Sequence, residues 1–251
     1  MSTTTMLFCA ILCALLVAQA SCAEEVSLPR SVKVCNRRSS DYSSCLRLAI
    51  QESWLTFVKG IPQLQLPVLD PMSMDYIESN YQAAEISGRF SLRDVKTYGL
   101  ARTNFLAVRP YFSGNTMNME IDVEVPKAFI DGNYKADGSI GLYKIGGKGY
   151  FNVSIDHISA TWSLEGHVDD DRWIIDHLHI YPDVEKLKVH FTDLFNGNDE
   201  LNKAALSLVN EYWQVFYKGF LPSLEKHWDQ YLSDFLNRFI FSKISVSKVF
   251  P

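Results

Sequence analysis

Apolar and polar residues alternate along much of the chain between residues 86 and 191, and this alternation limits the folds that the sequence can adopt. In the clearest run, residues 118–125, every second residue is apolar and the residues between them are polar or charged. Shorter runs at 151–156 and 186–191 repeat the pattern. A period of two places the two kinds of residue on opposite faces of a strand. The sequence therefore predicts a long antiparallel meander with one apolar face and one solvated face.

Residues that favour turns divide this meander. Gly, Asn and Asp accept the backbone conformations that tight turns require. We expect turns or hairpin tips at Ser113-Gly114-Asn115, Asp131-Gly132-Asn133, Asp137-Gly138, Gly146-Gly147-Lys148-Gly149 and Asp169-Asp170-Asp171. The alternation also changes phase near Asp94, which predicts a β-bulge.

Apolar residues at helical spacing flank the meander on both sides. The spacing predicts one helix over about residues 41–58, which Gly60 ends. A second helical pattern begins after Asn198, a residue that favours the N-cap position, and continues to residue 239. Within it, we expect Pro222 to kink or interrupt the helix. The order helix, meander, long helix predicts an α+β fold in which one sheet and one long C-terminal helix share an apolar interior.

The N-terminus has the pattern of a secretory signal peptide. Residues 6–18 are apolar and uncharged, and small residues precede Glu24. The apolar segment is too short for a comfortable membrane span, and no later stretch is long and apolar enough for one. We therefore expect residues 1–23 to be a signal peptide, residues 24–251 to form a single domain, and the mature protein to be secreted.

Cysteine use agrees with an oxidising compartment. Three of the five cysteines would leave with the signal peptide, so that Cys35 and Cys45 remain as a pair. A disulfide between them is the natural interpretation, and two free thiols are the alternative. Asn152-Val153-Ser154 is the only glycosylation sequon, and it lies in a strand-like stretch. We treat Asn152 as a possible glycosylation site.

Composition excludes one class of partner. The net charge is −5, and the lysines and arginines are scattered along the chain. A nucleic-acid-binding protein needs a basic surface that neutralises phosphates, so we expect no nucleic acid.

Residues that carry enzymatic or metal chemistry do not form a convincing site. The segment 146–149 lacks the spacing and the following Ser or Thr of a phosphate-binding loop. His177 and His179 could face a metal ion from one strand, but the sequence places no third ligand beside them, so we interpret them as surface residues. No Gly-x-Ser-x-Gly motif is present. We expect no enzymatic activity, no metal ion and no cofactor.

The apolar interior remains as the feature that function could use. Its aromatic and aliphatic side chains could pack a solid core or line a ligand cavity, since both need similar residues. The periodicity alone does not distinguish the two.

Several segments together resemble the insect takeout and haemolymph juvenile-hormone-binding protein family. The resemblance begins with Cys35 and Cys45 and with the proline-interrupted segment Gly60-Ile-Pro-Gln-Leu-Gln-Leu-Pro-Val-Leu-Asp-Pro71. It continues through residues 98–100, 125–126, 132–134, 147–151, 194–197, 210–213 and 249–251. Each segment is weak alone, and their order over nearly the whole mature chain carries the resemblance.

The resemblance implies a fold and a function. Members of this family are secreted carriers of small hydrophobic ligands, with a strongly curved antiparallel β-sheet wrapped around a long C-terminal α-helix and enclosing an elongated hydrophobic tunnel. The interior residues are then expected to line this tunnel. From the periodicity we assign to it Trp54, Phe57, Phe90, Met117, Met119, Ile121, Val123, Tyr143, Phe151, Val153, Trp162, Tyr212, Phe216 and Phe220.

The expected partner is a juvenile-hormone-like terpenoid, a fatty acid or another lipid, carried by a monomer in haemolymph or chemosensory fluid and delivered to a receptor or membrane surface. The single N-terminal cysteine pair is similar to the pattern of takeout-like members. The alternative is a secreted signalling protein of the takeout type, which regulates feeding, circadian or mating behaviour through a receptor and holds its lipid as a structural element.

Overall fold

A six-stranded antiparallel sheet is the largest element of the computed structural model, which describes residues 32–83 and 86–251. The predicted signal peptide lies outside the described residues. The strand order is β1-β2-β4-β5-β6, and β3 pairs with the first half of β4. The strands are β1 (Met72–Ala83), β2 (Ile86–Tyr98), β3 (Asn104–Ser113), β4 (Thr116–Ile140), β5 (Tyr143–Asp169) and β6 (Arg172–Phe191). The predicted antiparallel meander is thus confirmed, with β1 and β6 at its outer edges.

Two of the predicted turns are present, and three lie inside strands. Residues 113–115 connect β3 to β4, and Asp170 and Asp171, both with positive φ, connect β5 to β6. The predictions at 131–133, 137–138 and 146–149 were wrong, because these residues continue β4 and β5. Their glycines allow close approach of backbones instead of a turn. A Cβ on Gly138 would lie 2.3 Å from the Ser87 carbonyl oxygen, and one on Gly147 would lie 1.9 Å from that of Asp193.

The phase change near Asp94 is a β-bulge, as predicted. The register of β2 against β4 shifts between Arg93 and Lys96, and Asp94 has a φ of 53°. The bulge turns Val95 inward, where only 2% of its surface is exposed.

A crease crosses the middle of the sheet and reverses which residues face inward. Along β4 the buried residues are odd-numbered from Met117 to Val125, and even-numbered from Ala128 to Tyr134. The ladder to β5 keeps one register across this point, but Pro126 and His157 are not paired in it. Pro126 has no N–H to donate, and His157 has a φ of 51°. The crease divides the inner face into two halves, with odd-numbered residues of β4 facing inward in one and even-numbered residues in the other.

The helices are α1 (Tyr42–Val58), α2 (Asp199–Glu211), α3 (Trp213–Leu236) and the short α4 (Val246–Val249). The Asn198 side chain accepts a hydrogen bond from the Leu201 N–H, which confirms the predicted N-cap. Of the predicted kink or interruption at Pro222, the interruption was wrong, since α3 continues through it, and the kink stays a prediction. The C-terminal helix breaks instead at Tyr212, whose φ and ψ of −109° and 32° are not helical. Pro222 removes one hydrogen bond on an exposed turn, which α3 tolerates.

Side chains from the C-terminal helical region form hydrogen bonds with backbone N–H and carbonyl groups on the free edge of β6. The Asn210 amide donates to the Val189 carbonyl oxygen at 2.9 Å and accepts from the Val189 N–H at 2.8 Å. Asn237 makes the same two bonds to Ile175, both at 2.8 Å. Each asparagine therefore takes the place of a neighbouring strand for one residue of the edge.

Two further side chains extend this contact along β6. Asn202 donates to the Phe191 carbonyl oxygen at 3.2 Å, and Asp229 accepts from the Leu178 N–H at 2.8 Å. We call Asn202, Asn210, Asp229 and Asn237 the edge-holding residues. The helical and strand segments between the first and last of these bonds each span about 50 Å. The helices α2 and α3 are therefore the right length to cover β6 in the opposite chain direction.

The N-terminal segment and α1 close one end of the molecule. A disulfide joins Cys35 to Cys45, as predicted. The Trp54 indole N–H donates to the Leu100 carbonyl oxygen at 2.7 Å, and the Arg37 N–H donates to the carbonyl oxygen of Pro251 at 2.7 Å. The two ends of the described chain are thus held together.

The proline-interrupted segment at residues 61–71, which we call the strap, lies outside the sheet. Its Leu64, Leu66 and Leu69 are buried, and Val68 is half-exposed. The Lys243 ammonium donates to the Leu64 carbonyl oxygen at 2.6 Å. The strap therefore packs Leu64 and Leu66 against the segment that follows α3, which contributes Phe239 and Ile244.

Candidate functional site

Apolar side chains of α2 and α3 face the sheet without being fully buried. Both helices lie wholly within the described part of the chain, and the only buried residue in either is Ser233. The partly buried apolar residues recur at helical spacing and include Leu201, Ala205, Val209, Phe216, Phe220 and Trp228. A helix that packed tightly against a sheet would bury such a stripe almost completely.

The inner face of β5 and β6 presents a matching set of partly buried apolar residues. They lie around the crease and comprise Ile155, Ile158, Val184, Leu187 and Val189. Among the described side chains, three packed apolar clusters form, and neither these residues nor Phe216 and Phe220 belong to one. The apolar side chains on the facing sides of helix and sheet thus stay partly exposed and lie outside the three clusters of buried residues.

The three clusters lie around this surface. The α1 cluster packs α1 against adjoining parts of β3–β6 and contains Met117 and Trp173, which are 0% and 1% exposed. The strap cluster joins the strap to Phe235 and Phe239. The β2 cluster packs around Val95 and other residues beyond the crease.

The predicted tunnel residues are divided among these regions. In or against the α1 cluster lie Trp54, Met117, Met119, Ile121, Val123 and Trp162. Phe57 packs against the strap cluster, and Phe151 and Val153 belong to the β2 cluster. Outside the three clusters lie Phe90, Tyr212, Phe216 and Phe220, and the side chain of Tyr143 is outside the described residues. The assignment of this set to a ligand-binding surface stays a prediction.

Sequence reasoning left out the residues of β6 that face the helices. Leu187 and Val189 alternate with lysines, a signal that predicted their strand but was not carried over to the site. Their role depends on which element covers β6, and the alternation does not contain that information.

Two tyrosines of α3 respond to groups on the two outer strands of the sheet. Burial raises the pKa of Tyr217 to about 12, and its hydroxyl donates to the Pro182 carbonyl oxygen of β6 at 3.4 Å. Burial also raises the pKa of Tyr231, and the carboxylate of Asp75 on β1 adds to this rise. The helix thus contacts β6 and lies near β1, as expected for a sheet that wraps around it.

A surface depression of 420 Å³ lies on the solvated face of the sheet. Arg109, Glu120 and Glu165 are among the residues that line it. Arg109 donates to Asp122 at 2.5 Å and to Glu120 at 2.9 Å, and its hydrogen bond lowers the pKa of Asp122. This charged lining does not suit an apolar ligand.

The two histidines that sequence analysis placed on a strand surface meet a carboxylate from α3. His177 Nδ1 lies 3.0 Å from Asp229 Oδ2, and this hydrogen bond raises the pKa of His177. Partial burial acts to raise the pKa of Asp229, but its bonds with His177 and Leu178 outweigh burial and hold that pKa below its usual value. His179 lies beside His177, with ring centroids 5.5 Å apart.

The profile of one protein family, haemolymph juvenile hormone binding protein, matches residues 10–251. The circadian clock-controlled protein daywake of Drosophila melanogaster is 24% identical to this chain over 223 residues, which are 84% of this chain and 85% of daywake. The daywake protein of Drosophila yakuba is 23% identical over 208 residues, 79% of each chain.

The fold also matches a solved structure. The crystal structure of Takeout 1 from Epiphyas postvittana superposes with a TM-score of 0.71 and 24% sequence identity. The match covers 87% of this chain and 99% of Takeout 1. In the described part of the chain, no helix has the length and apolar character needed to cross a membrane.

Proposed function

The chain belongs to the haemolymph juvenile hormone binding protein family, and from this premise we propose that it is a secreted carrier of a small hydrophobic ligand. The ligand class is a juvenile-hormone-like terpenoid, a fatty acid or another lipid. It binds reversibly in an elongated tunnel between the C-terminal helices and the inner face of the sheet.

The partly exposed apolar side chains that α2–α3 and β5–β6 turn toward each other carry this proposal. Apolar side chains on both sides stay partly exposed although they face each other across the interior. A ligand that buried roughly 300 Å² of apolar surface there would gain about 7 kcal/mol before the cost of association. That is enough for reversible binding by an apolar chain, with no catalytic group required.

Native mass spectrometry of the purified protein, followed by organic extraction and lipid analysis, tests the proposal. We expect a co-purifying lipid or terpenoid of one-to-one stoichiometry. Extraction should leave a protein that rebinds a fluorescent fatty acid and releases it when a terpenoid is added. A protein that carries no lipid and binds neither probe would contradict the carrier proposal.

A signalling role is the second candidate, and the name of the daywake relatives favours it. Those proteins are described as circadian clock-controlled. In this alternative the lipid is structural, and the outer surface engages a receptor. The two functions differ in ligand exchange: a carrier releases its lipid to an acceptor vesicle, whereas a protein with a structural lipid keeps it.

A further inference from the structure

Two histidines of β6 and one aspartate of α3 bring their ligand atoms together at the edge of the sheet. His177 and His179 are two residues apart on the strand and therefore share a face. Their rings stack with an angle of 13° between planes. With Asp229 they place one nitrogen or oxygen atom each within 4.8 Å of one another. Imidazole and carboxylate groups are ligands that Zn²⁺ accepts in proteins.

The backbone of the edge strand fixes the position of the aspartate. Asp229 Oδ1 accepts from the Leu178 N–H at 2.8 Å, so the carboxylate is held against the residue between the two histidines. Its other oxygen, Oδ2, faces His177 Nδ1 at 3.0 Å. Hydrogen bonds of this kind orient metal ligands before the ion binds.

Further negative charge surrounds the three groups. Glu165 of β5 pairs directly with His177 across the ladder, and its side chain is on the same face. The charges of Glu165 and Asp176 both act on His177. A cation at this position would therefore enter a negative environment, with the Glu165 side chain on the same face.

We propose that His177, His179 and Asp229 bind a divalent transition-metal ion of the zinc class, with Glu165 or water in the fourth position. In a tetrahedral zinc site the ligand atoms lie about 3.4 Å apart, and here they lie within 4.8 Å of one another, so a closure of at most about 1.4 Å completes it. The ion takes the place of the proton on His177 Nδ1 that faces Asp229: from an imidazolium ring that proton passes to solvent, and from a neutral ring it is replaced by a proton on Nε2. Because two ligands belong to β6 and one to α3, the bound ion cross-links the helix to the edge strand.

Titration of the chelator-treated protein with Zn²⁺ in a calorimeter, and with Co²⁺ followed by visible absorption, tests this site. We expect one equivalent of either ion to bind, a tetrahedral Co²⁺ spectrum and a higher Tm with Zn²⁺. The key variant is His179→Ala, because His179 makes no hydrogen bond in the described structure and its loss should leave the fold intact. It should weaken zinc binding by at least about tenfold and abolish the rise in Tm.

A second His–Asp pair on the same sheet supplies the matched control. His167 Nδ1 lies 2.9 Å from Asp176 Oδ2, without a second histidine beside it. His167→Ala should bind zinc as the unchanged protein does, and Asp229→Asn should bind it more weakly while keeping its bond from Leu178. Zinc affinity that is equal in the unchanged protein and His179→Ala would overturn the proposal. Equal losses in His179→Ala and His167→Ala would overturn it too.

Discussion

Asn210 gives and receives one hydrogen bond with the backbone of a single residue, Val189, as a neighbouring strand would. Asn237 repeats the arrangement with Ile175. At the scale of the residue, amide side chains therefore do what backbone pairing does elsewhere in the sheet. A carboxylate such as Asp229 covers only the N–H, because it has no hydrogen to donate.

We expect Asn210→Ala to lower the free energy of unfolding by about 1–3 kcal/mol, since it leaves the N–H and carbonyl of Val189 without their partners. Chemical denaturation followed by circular dichroism measures this. Gln214→Ala, at an exposed position of α3, is the control and should change stability little. If both variants unfold at the same denaturant concentration, the Asn210 bonds contribute nothing to stability.

The interactions of single residues could be predicted where both partners are close together in the sequence. Cys35 and Cys45 form the expected disulfide, and Asn198 caps its own helix, because in each case the partner is near in sequence. Asp229 meets His177 from 52 residues away. No local pattern marks that encounter, which is why the histidines were interpreted as surface residues.

The two longest strands, β4 and β5, each have a crease near their middle, and one residue on each strand causes it. At the scale of the element, Pro126 leaves one ladder position without a donor, and His157 takes a left-handed conformation at the matching position of β5. The inward-facing residues change parity there on both strands. One wide sheet thereby forms two inner faces.

A substitution at His157 tests the crease. A β-branched residue strongly disfavours a positive φ, so His157→Val should destabilise the protein by about 1–2 kcal/mol. His157→Gly should be tolerated, because glycine accepts that conformation. Ser159→Val, two residues along the same strand with no positive φ, is the control and should be near neutral in thermal unfolding. Equal stability of His157→Val and Ser159→Val would contradict a strained crease.

Replacing the proline inside α3 is expected to increase stability, unlike the substitutions above. Pro222 removes a helical hydrogen bond without ending the helix. We expect Pro222→Ala to raise the free energy of unfolding by about 1–3 kcal/mol, because alanine restores that bond and favours helix. A denaturation midpoint at or below that of the unchanged protein would mean that surrounding contacts depend on the proline.

At this scale, periodicity predicted the kind of each element well and its boundaries less well. The alternation identified the region of β2 to β6, and helical spacing identified α1 and the C-terminal helices, but no prediction was made for β1 (Met72–Ala83). The turn predictions at these glycines were wrong because glycine is equally suited to a turn and to a close contact between backbones. Gly138 and Gly147 are instances of the second use, which depends on strands that are distant in sequence.

The whole molecule is a sheet that lies along the C-terminal helices, with apolar side chains on both that stay partly exposed. Sequence periodicity predicted that sheet and helix share an apolar interior, but it could not distinguish a filled core from a tunnel. The difference depends on the separation of α2–α3 from β5–β6. That separation is fixed by the edge-holding residues and by the clusters around the interior, which are contacts between distant parts of the chain.

Truncation of one interior aromatic residue tests where the ligand binds. Phe216 is partly buried and belongs to none of the three clusters, so Phe216→Ala should weaken binding of a fluorescent fatty acid by roughly 5- to 30-fold, or about 1–2 kcal/mol. Stability should change less, because the residue is only partly buried and lies outside the three clusters. Val215→Ala, next to it and 69% exposed, is the control and should bind as before. Equal affinities of the two variants would show that Phe216 lies off the ligand path.

Because α2 and α3 cover the free edge of β6, loosening these helices affects the tendency of the protein to aggregate. An edge strand with free donors and acceptors is a template for pairing with other chains. The edge-holding side chains occupy those groups only while α2 and α3 stay in place. Partial loss of these helices would expose an edge of about 50 Å. Variants that loosen them are therefore expected to be lost to aggregation before the sheet itself unfolds.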